Sequence, residues 1–196
     1  MKESIFVREV PELLNGDEPF TLNDIPQSFK VRDFWRFEFS NLWDNQGYMG
    51  EFIVAMALGQ KEPENCCGWT LYDMKYKGRR IEVKTTAYFQ PFRGDGKVSN
   101  TRVFSIRKTH EVDYDETTPL VRNNDIYVFC LIIGKTKVEA DPRKLEHWRF
   151  WVVPTTDINK ECGNNQSISL NKVKKMVRNS EGLKYDELKT AVDELC

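Results

Sequence analysis

The chain has no C-x-x-C pair, and its cysteines, Cys66, Cys67, Cys130, Cys162 and Cys196, are odd in number. That argues against a disulfide framework and against a structural zinc site, so a reducing cytoplasm is the expected compartment. Its longest apolar run, Ile126 to Ile133, is far too short to span a bilayer. The first residues, Met1-Lys2-Glu3-Ser4-Ile5-Phe6, lack the apolar core of a signal peptide. There is no internal repeat, low-complexity tract, glycine-rich phosphate loop or Ser-His-Asp arrangement, and only two histidines, His110 and His147. Either could act as a general base, although His147, beside Trp148, is expected to be structural or exposed. Net charge is scarce too, at −1, which argues against a protein coated in positive charge. What remains is an ordinary globular composition, 40% hydrophobic and 30% charged, in a chain long enough to bury a real core.

The near-zero total hides an asymmetry. Between Asp73 and Lys108 stand ten basic and three acidic residues, so this segment carries +7 and the rest of the chain −8. A basic middle suits a polyanion, although a solvated hairpin with scattered lysines has the same composition. Within it, Arg79-Arg80-Ile81-Glu82-Val83-Lys84-Thr85-Thr86 alternates as a strand. Ile81 and Val83 point one way; Arg80, Glu82, Lys84 and Thr86 point the other. Leu71 to Tyr76 reads as a partner strand, and Lys77-Gly78 as a two-residue hairpin turn. That turn sets Tyr76 against Arg79, Lys75 against Arg80, Met74 against Ile81 and Asp73 against Glu82. Two carboxylates so opposed repel unless a cation lies between them, and a divalent metal meets that need.

Taken in order, residues 1–27 read as an N-terminal arm with at most a short helix, and 28–196 as a single domain. A helix is expected from Ser28 to Trp43. Its seven aromatic and aliphatic residues are too many for one stripe, which predicts burial on more than one side rather than a base-stacking platform. A second helix follows from Tyr48 to Leu58, stopped by Gly59. Glu51 is its lone charge: such a residue is either paired, metal-bound or held by the dipole of the first turn. Lys61 to Gly68 reads as a loop, and Tyr88 to Lys97 as a strand end and turn. A strand is expected over Arg102 to Arg107. Glu111 to Glu116 is an acidic loop without EF-hand spacing, hence solvent-facing. Asp125 to Gly134 reads as a strand covered on both faces. Trp148 to Pro154 is another strand, Leu170 to Arg178 a helix, and Glu181 to Leu195 the last helix.

The pattern [Asp/Glu]-x-Lys occurs four times, but only Glu82-Val83-Lys84 sits in an alternating strand with an aspartate on its hairpin partner and a helical glutamate upstream. This constellation resembles the PD-(D/E)XK nuclease superfamily over about residues 30 to 175. Asp33-Phe34-Trp35-Arg36, Gly50-Glu51-Phe52-Ile53-Val54-Ala55, Tyr72-Asp73 and Ile81-Glu82-Val83-Lys84-Thr85-Thr86-Ala87-Tyr88 look like a group of bacterial proteins of this type. Tyr72 stands where the superfamily motif has proline, a departure that the family often shows.

The resemblance implies an α/β, restriction-endonuclease-like fold with a central mixed sheet flanked by helices. It implies a metal-dependent endonuclease that hydrolyses DNA phosphodiester bonds. Glu51, Asp73, Glu82 and Lys84 would be catalytic. Asp73, Glu82 and Glu51 would hold Mg²⁺, with Mn²⁺ as a substitute, and the metal would activate water and polarise the phosphate. Lys84 would orient or help deprotonate that water, and stabilise charge on the phosphorane-like transition state. Without the metal, the clustered carboxylates should repel and raise the pKa of at least one. Thr86 and Gln90 are candidates for support around this set, although Gln90 lies about 27 Å from Glu82 along an ideal strand. Arg79, Arg80, Arg93, Lys97, Arg102 and Arg107 are candidate phosphate contacts. DNA is the expected partner and a membrane is not. The sequence leaves a homodimer open, two chains pairing to cut both strands. It also leaves open a nuclease-fold scaffold or DNA-binding protein that does not cleave.

Overall fold

The computed structural model describes residues 14–60, 71–90, 102–111 and 115–196, and the chain divides into two compact units between Asn41 and Leu42. The expected boundary lay after residue 27. In the first unit, β1 (Pro19–Leu22) and β2 (Ile25–Lys30) form an antiparallel hairpin in place of an irregular arm. Its turn residues, Asn23 and Asp24, both have positive φ (49° and 64°), as a tight primed turn requires. The Phe20 and Phe29 rings meet across the pair at 5.1 Å. Because residues 25–30 are taken by β2, α1 begins only at Val31 and ends at Phe39 (Val31–Phe39). The Asp33 carboxylate accepts the Lys30 backbone N–H at 2.9 Å and so closes the first turn. The expectation of burial on several sides is overturned, since no residue of α1 is buried and Phe37 is 82% exposed. Nine residues and a two-stranded hairpin present too little surface to cover so many aromatics.

The second unit is built on a four-stranded mixed sheet, so the chain is mixed α/β. Its elements are α2 (Gln46–Ala57), β3 (Met74–Tyr76), β4 (Arg79–Ala87), β5 (Val103–Ser105), β6 (Thr109–His110) and β7 (Leu120–Val121). They continue with β8 (Ile126–Ile132), β9 (Trp148–Pro154), α3 (Thr155–Cys162), β10 (Ser167–Ser169), α4 (Leu170–Met176) and α5 (Tyr185–Asp193). The sheet order is β3-β4-β8-β9, with β4 and β8 parallel and the outer pairs antiparallel. Two short ladders, β5 with β10 and β6 with β7, lie outside it.

Strand β8 is buried at all seven positions, as a strand covered on both faces must be. Ile126, Val128, Cys130 and Ile132 pack towards α2 and α5, with Ile53, Val54, Leu188 and Val192. Tyr127, Phe129 and Leu131 pack the other way, with Ile158 of α3, Val173 of α4, Phe104 of β5 and Ile168 of β10. Helix α3 thus helps cover this second face. The three described cysteines, Cys130, Cys162 and Cys196, are free thiols. No helix of the described residues is long and apolar enough to cross a membrane.

Candidate active site at the open edge of β4

The Lys77-Gly78 turn has positive φ at both residues (46° and 80°) and sets the register expected from sequence: Met74 opposite Ile81, Lys75 opposite Arg80, Tyr76 opposite Arg79. The ladder then stops. Strand β3 begins at Met74, so Asp73 is not paired across from Glu82. Its backbone still holds on, the Asp73 N–H donating to the Ile81 carbonyl at 3.0 Å. Its side chain takes over where a strand would have continued, and Asp73 Oδ2 accepts the Val83 N–H at 2.6 Å. A carboxylate on a strand-edge N–H makes a charge-assisted bond and holds Asp73 at a defined place on β4.

Helix α2 reaches the same edge. Gly50, Ile53, Val54 and Ala55 are buried, while Tyr48 and Phe52 face outward. At Gly50 the helix backbone comes so close to β4 that an added Cβ would lie 1.9 Å from Thr85 Oγ1. The following residue, Glu51, is half-buried at the boundary of the packed face. Gly59, at φ +79°, ends the helix as expected.

Three carboxyl groups and one ammonium therefore share one electrostatic neighbourhood. Burial pushes the Glu51 carboxyl up to about 7, with the charges of Asp73 and Glu82 adding to it and Lys84 opposing it. Burial also raises Asp73, against the pull of Lys84 and the Val83 N–H. Glu82 is raised by burial and then by Asp73, with Lys84 opposing. For Lys84 burial works against the ammonium, but Glu82 and Asp73 outweigh it and its pKa ends up raised. Lys84 Nζ is ion-paired with Glu82 Oε1. Burial is thus the main cause of all three raised carboxyl pKa values; carboxylate repulsion adds to it at Glu51 and Glu82, and one ammonium does not offset the sum.

Among the described residues no three His, Cys, Asp or Glu side chains are gathered into a ready metal-ligand set. The physical reason lies in the contacts just given: Glu82 is turned onto Lys84 and Asp73 onto the Val83 N–H. The donor chemistry nonetheless fits a hard divalent cation. Asp73 and Glu82 supply carboxylate oxygens, the ligand type that Mg²⁺ prefers, and Mg²⁺ keeps several of its waters.

The other sequence candidates divide. Thr86 is buried at 8% exposure on the same face of β4 as Glu82 and Lys84. Gln90 lies past the end of β4, and its Oε1 is buried with no hydrogen-bond partner among the described residues. Arg79 is exposed. Arg80 is engaged by Asp125: its Nε and Nη2 donate to the two carboxylate oxygens at 3.2 and 3.0 Å, and its N–H donates to Oδ2 at 2.8 Å. It fastens the start of β4 to the start of β8, since the Asp125 N–H also donates to the Arg80 carbonyl at 2.8 Å. Arg102 is 5% exposed, against the expectation of a phosphate contact. It donates to the Tyr88 carbonyl at 2.6 Å, and its guanidinium lies 5.3 Å from the centroid of that ring. Arg107 is exposed. Arg93 and Lys97 lie outside the described residues. The roles of Gly50, Thr85 and Asp125 went unread in the sequence. A glycine directly before Glu51, and an aspartate directly before the apolar run, were the available signals.

A pH dependence follows from Glu51. Its folded pKa is above the ordinary value of 4.5, so the folded state holds that proton more tightly than the unfolded chain. The contribution of Glu51 to stability is then fully present below pH 4.5 and declines as the pH rises towards about 7. Urea unfolding in EDTA should show a loss of about 1–2 kcal/mol across this window, after allowance for solvent screening at a partly exposed group. Glu51→Gln should flatten that part of the profile, leaving the slope due to Asp73 and Glu82. An unchanged profile in the variant would place the proton elsewhere.

Comparison with protein-family models, with curated proteins and with solved structures finds no match to this chain.

Proposed function

We propose that this protein is a metal-dependent nuclease of restriction-endonuclease-like fold that hydrolyses phosphodiester bonds in DNA. The observation that carries the reading is the pairing of Glu82 with Lys84 and the anchoring of Asp73 on the Val83 N–H at the open edge of β4, with Glu51 in range of their charges. Partly buried carboxyl groups with Lys84 as their cation are costly to the fold, and a divalent cation would offset that cost. Asp73 and Glu82 would hold Mg²⁺ or Mn²⁺, with Glu51 beside them. The ion would supply Lewis-acid polarisation of the scissile phosphate. The Lys84 ammonium would stabilise the charge that builds on a non-bridging phosphate oxygen when water attacks. Glu51, with a pKa of about 7, can hold or release a proton near neutral pH.

A second reading keeps the fold without the chemistry: a scaffold or DNA-binding protein in which Glu82 and Lys84 form a permanent ion pair. The Glu82–Lys84 contact favours it. Calorimetric titration with Mn²⁺ separates the two. Saturable binding in the wild type, lost in Asp73→Ala/Glu82→Ala, is the expected result. It is to be followed by cleavage assays on linear, branched and single-stranded DNA. Absence of binding in the wild type, both alone and with a duplex present, would sink the nuclease reading and leave the scaffold.

A further inference from the structure

A cleft of about 630 Å³ opens beside the β6–β7 ladder, lined by Arg107, Lys108, Thr109, His110, Asn164 and Gln166, with Leu120 the one apolar contributor. None of its lining residues is acidic, although the chain as a whole is slightly negative. The two amide side chains face the two cations with their oxygens. Lys108 Nζ donates to Asn164 Oδ1 at 2.9 Å, and Arg107 Nη2 lies 3.5 Å from Gln166 Oε1. Both amides therefore keep their NH₂ groups as donors. His110 Nδ1 is 2.8 Å from the Thr118 carbonyl, which can only accept, so Nδ1 carries the proton there. That proton is spent on Thr118, so the donors and the positive charge of the cleft come from Arg107, Lys108 and the two amides, which suits an anion.

Its walls are tied together from beneath. Arg122, 7% exposed, donates from Nε to the Ile106 carbonyl at 2.9 Å and from Nη1 to Asn159 Oδ1 and the Gly163 carbonyl at 2.6 and 3.1 Å. Its Nη2 donates to the Asn165 carbonyl at 3.0 Å. One wall is the chain around residue 106 and the other the turn at 163–166. The Ile106 N–H closes them again by donating to the Gln166 carbonyl at 2.9 Å. Every one of these acceptors is neutral, so the guanidinium charge is not cancelled by them and adds to the positive potential of the cleft.

The cleft is also linked to the carboxylate site. Tyr127 pairs with Glu82 across the β4–β8 ladder and lies on the same face of the sheet. Its ring belongs to one packed cluster with Ile158 of α3 and Ile168 of β10, and the turn at 163–166 that forms a wall of the cleft joins those two elements.

We propose that this cleft binds the phosphate backbone of a DNA duplex, through Arg107, Lys108 and the amides of Asn164 and Gln166, while the strand to be cut lies at Glu82 and Lys84. The choice of a DNA duplex and the placing of the strand to be cut rest on the nuclease reading; the anion-binding character of the cleft rests on its own lining. Backbone contacts of this kind carry no sequence information, so the cleft serves affinity and orientation rather than recognition of bases.

The test is fluorescence anisotropy on short labelled duplexes in EDTA, where no cleavage intervenes, at several salt concentrations. Arg107→Ala/Lys108→Ala should weaken binding by about tenfold or more and make the logarithmic salt dependence shallower by about 2, equally for two unrelated sequences. Gln166→Glu, which adds one negative charge on an exposed side chain, should weaken binding in the same direction and guards against a folding defect in the double variant. Unchanged affinity and salt slope in all variants would overturn the proposal, as would failure of the wild type to bind any duplex. Cleavage is scored separately with Mn²⁺. A wild type that binds through the cleft and never cuts would overturn the nuclease reading and leave the cleft standing.

Discussion

Lys84→Ala is expected to lower phosphodiester cleavage by at least about 100-fold, and by up to about 1,000-fold, while the protein stays folded and binds duplex as before. That is the range seen when one preorganised donor is removed from a site where transition-state charge develops. The prediction has a second part that a merely structural lysine does not share. Lys84 is the cation that opposes the raised pKa values of Glu51, Asp73 and Glu82. Its removal takes a competing positive charge away from the carboxylates, so Mn²⁺ should bind at least as tightly to the variant as to the wild type. Circular dichroism, calorimetric Mn²⁺ affinity and a single-turnover cleavage rate give the three readouts. Loss of the fold, or loss of metal binding together with cleavage, would mean that Lys84 holds the edge of β4 together instead.

Gly50→Ala is expected to destabilise the protein, in the direction opposite to the ordinary effect of this substitution in a helix. Alanine in place of glycine in an exposed helix interior stabilises by about 1 kcal/mol. Here the new methyl would sit 1.9 Å from Thr85 Oγ1 and 3.2 Å from Thr85 Cβ. The Thr85 side chain must rotate or helix and strand must move apart, and overpacking of this kind costs about 1–3 kcal/mol. Thr85→Ala removes the nearest atom of the clash, so the double variant should be more stable than the sum of the single changes, a coupling that a double-mutant cycle on urea midpoints measures. Because Glu51 follows Gly50, the shift should carry its carboxyl away from Asp73. Cleavage by the single variant should then fall by more than its folded fraction explains, with partial recovery in the double variant. Additive stabilities and normal cleavage would show that α2 slides at no consequence to the site.

These two positions mark where reading the chain by itself succeeds and where it ends. The sequence alone determines what is local. The alternation of Ile81, Glu82, Val83 and Lys84 decides which side chains share a face, because successive residues of a strand point to opposite sides. The Lys77-Gly78 turn sets the pairing of Met74 with Ile81, because a two-residue loop leaves one register. The continuous apolar run of β8 announces a strand covered twice, and Gly59 announces a helix end. Two local readings failed for an equally physical cause. The aromatics of α1 were counted as core, but an apolar side chain is buried only if another surface covers it. The basic residues were read as one group, but charge does not tell which of them a carboxylate has already taken.

Tertiary structure decided the rest, through neighbours that lie far apart in the chain. Asp125, forty-five residues along, holds Arg80 and makes it a clamp between β4 and β8. Tyr88 and burial claim Arg102. The end of β3 at Met74 frees Asp73 from the ladder, so that its carboxylate rather than its backbone continues along β4. The approach of Gly50 to Thr85 sets Glu51 beside it. None of these follows from propensity or pattern. Each depends on which surfaces pack, and packing is settled by the shape and burial of whole elements rather than by the residues next in line.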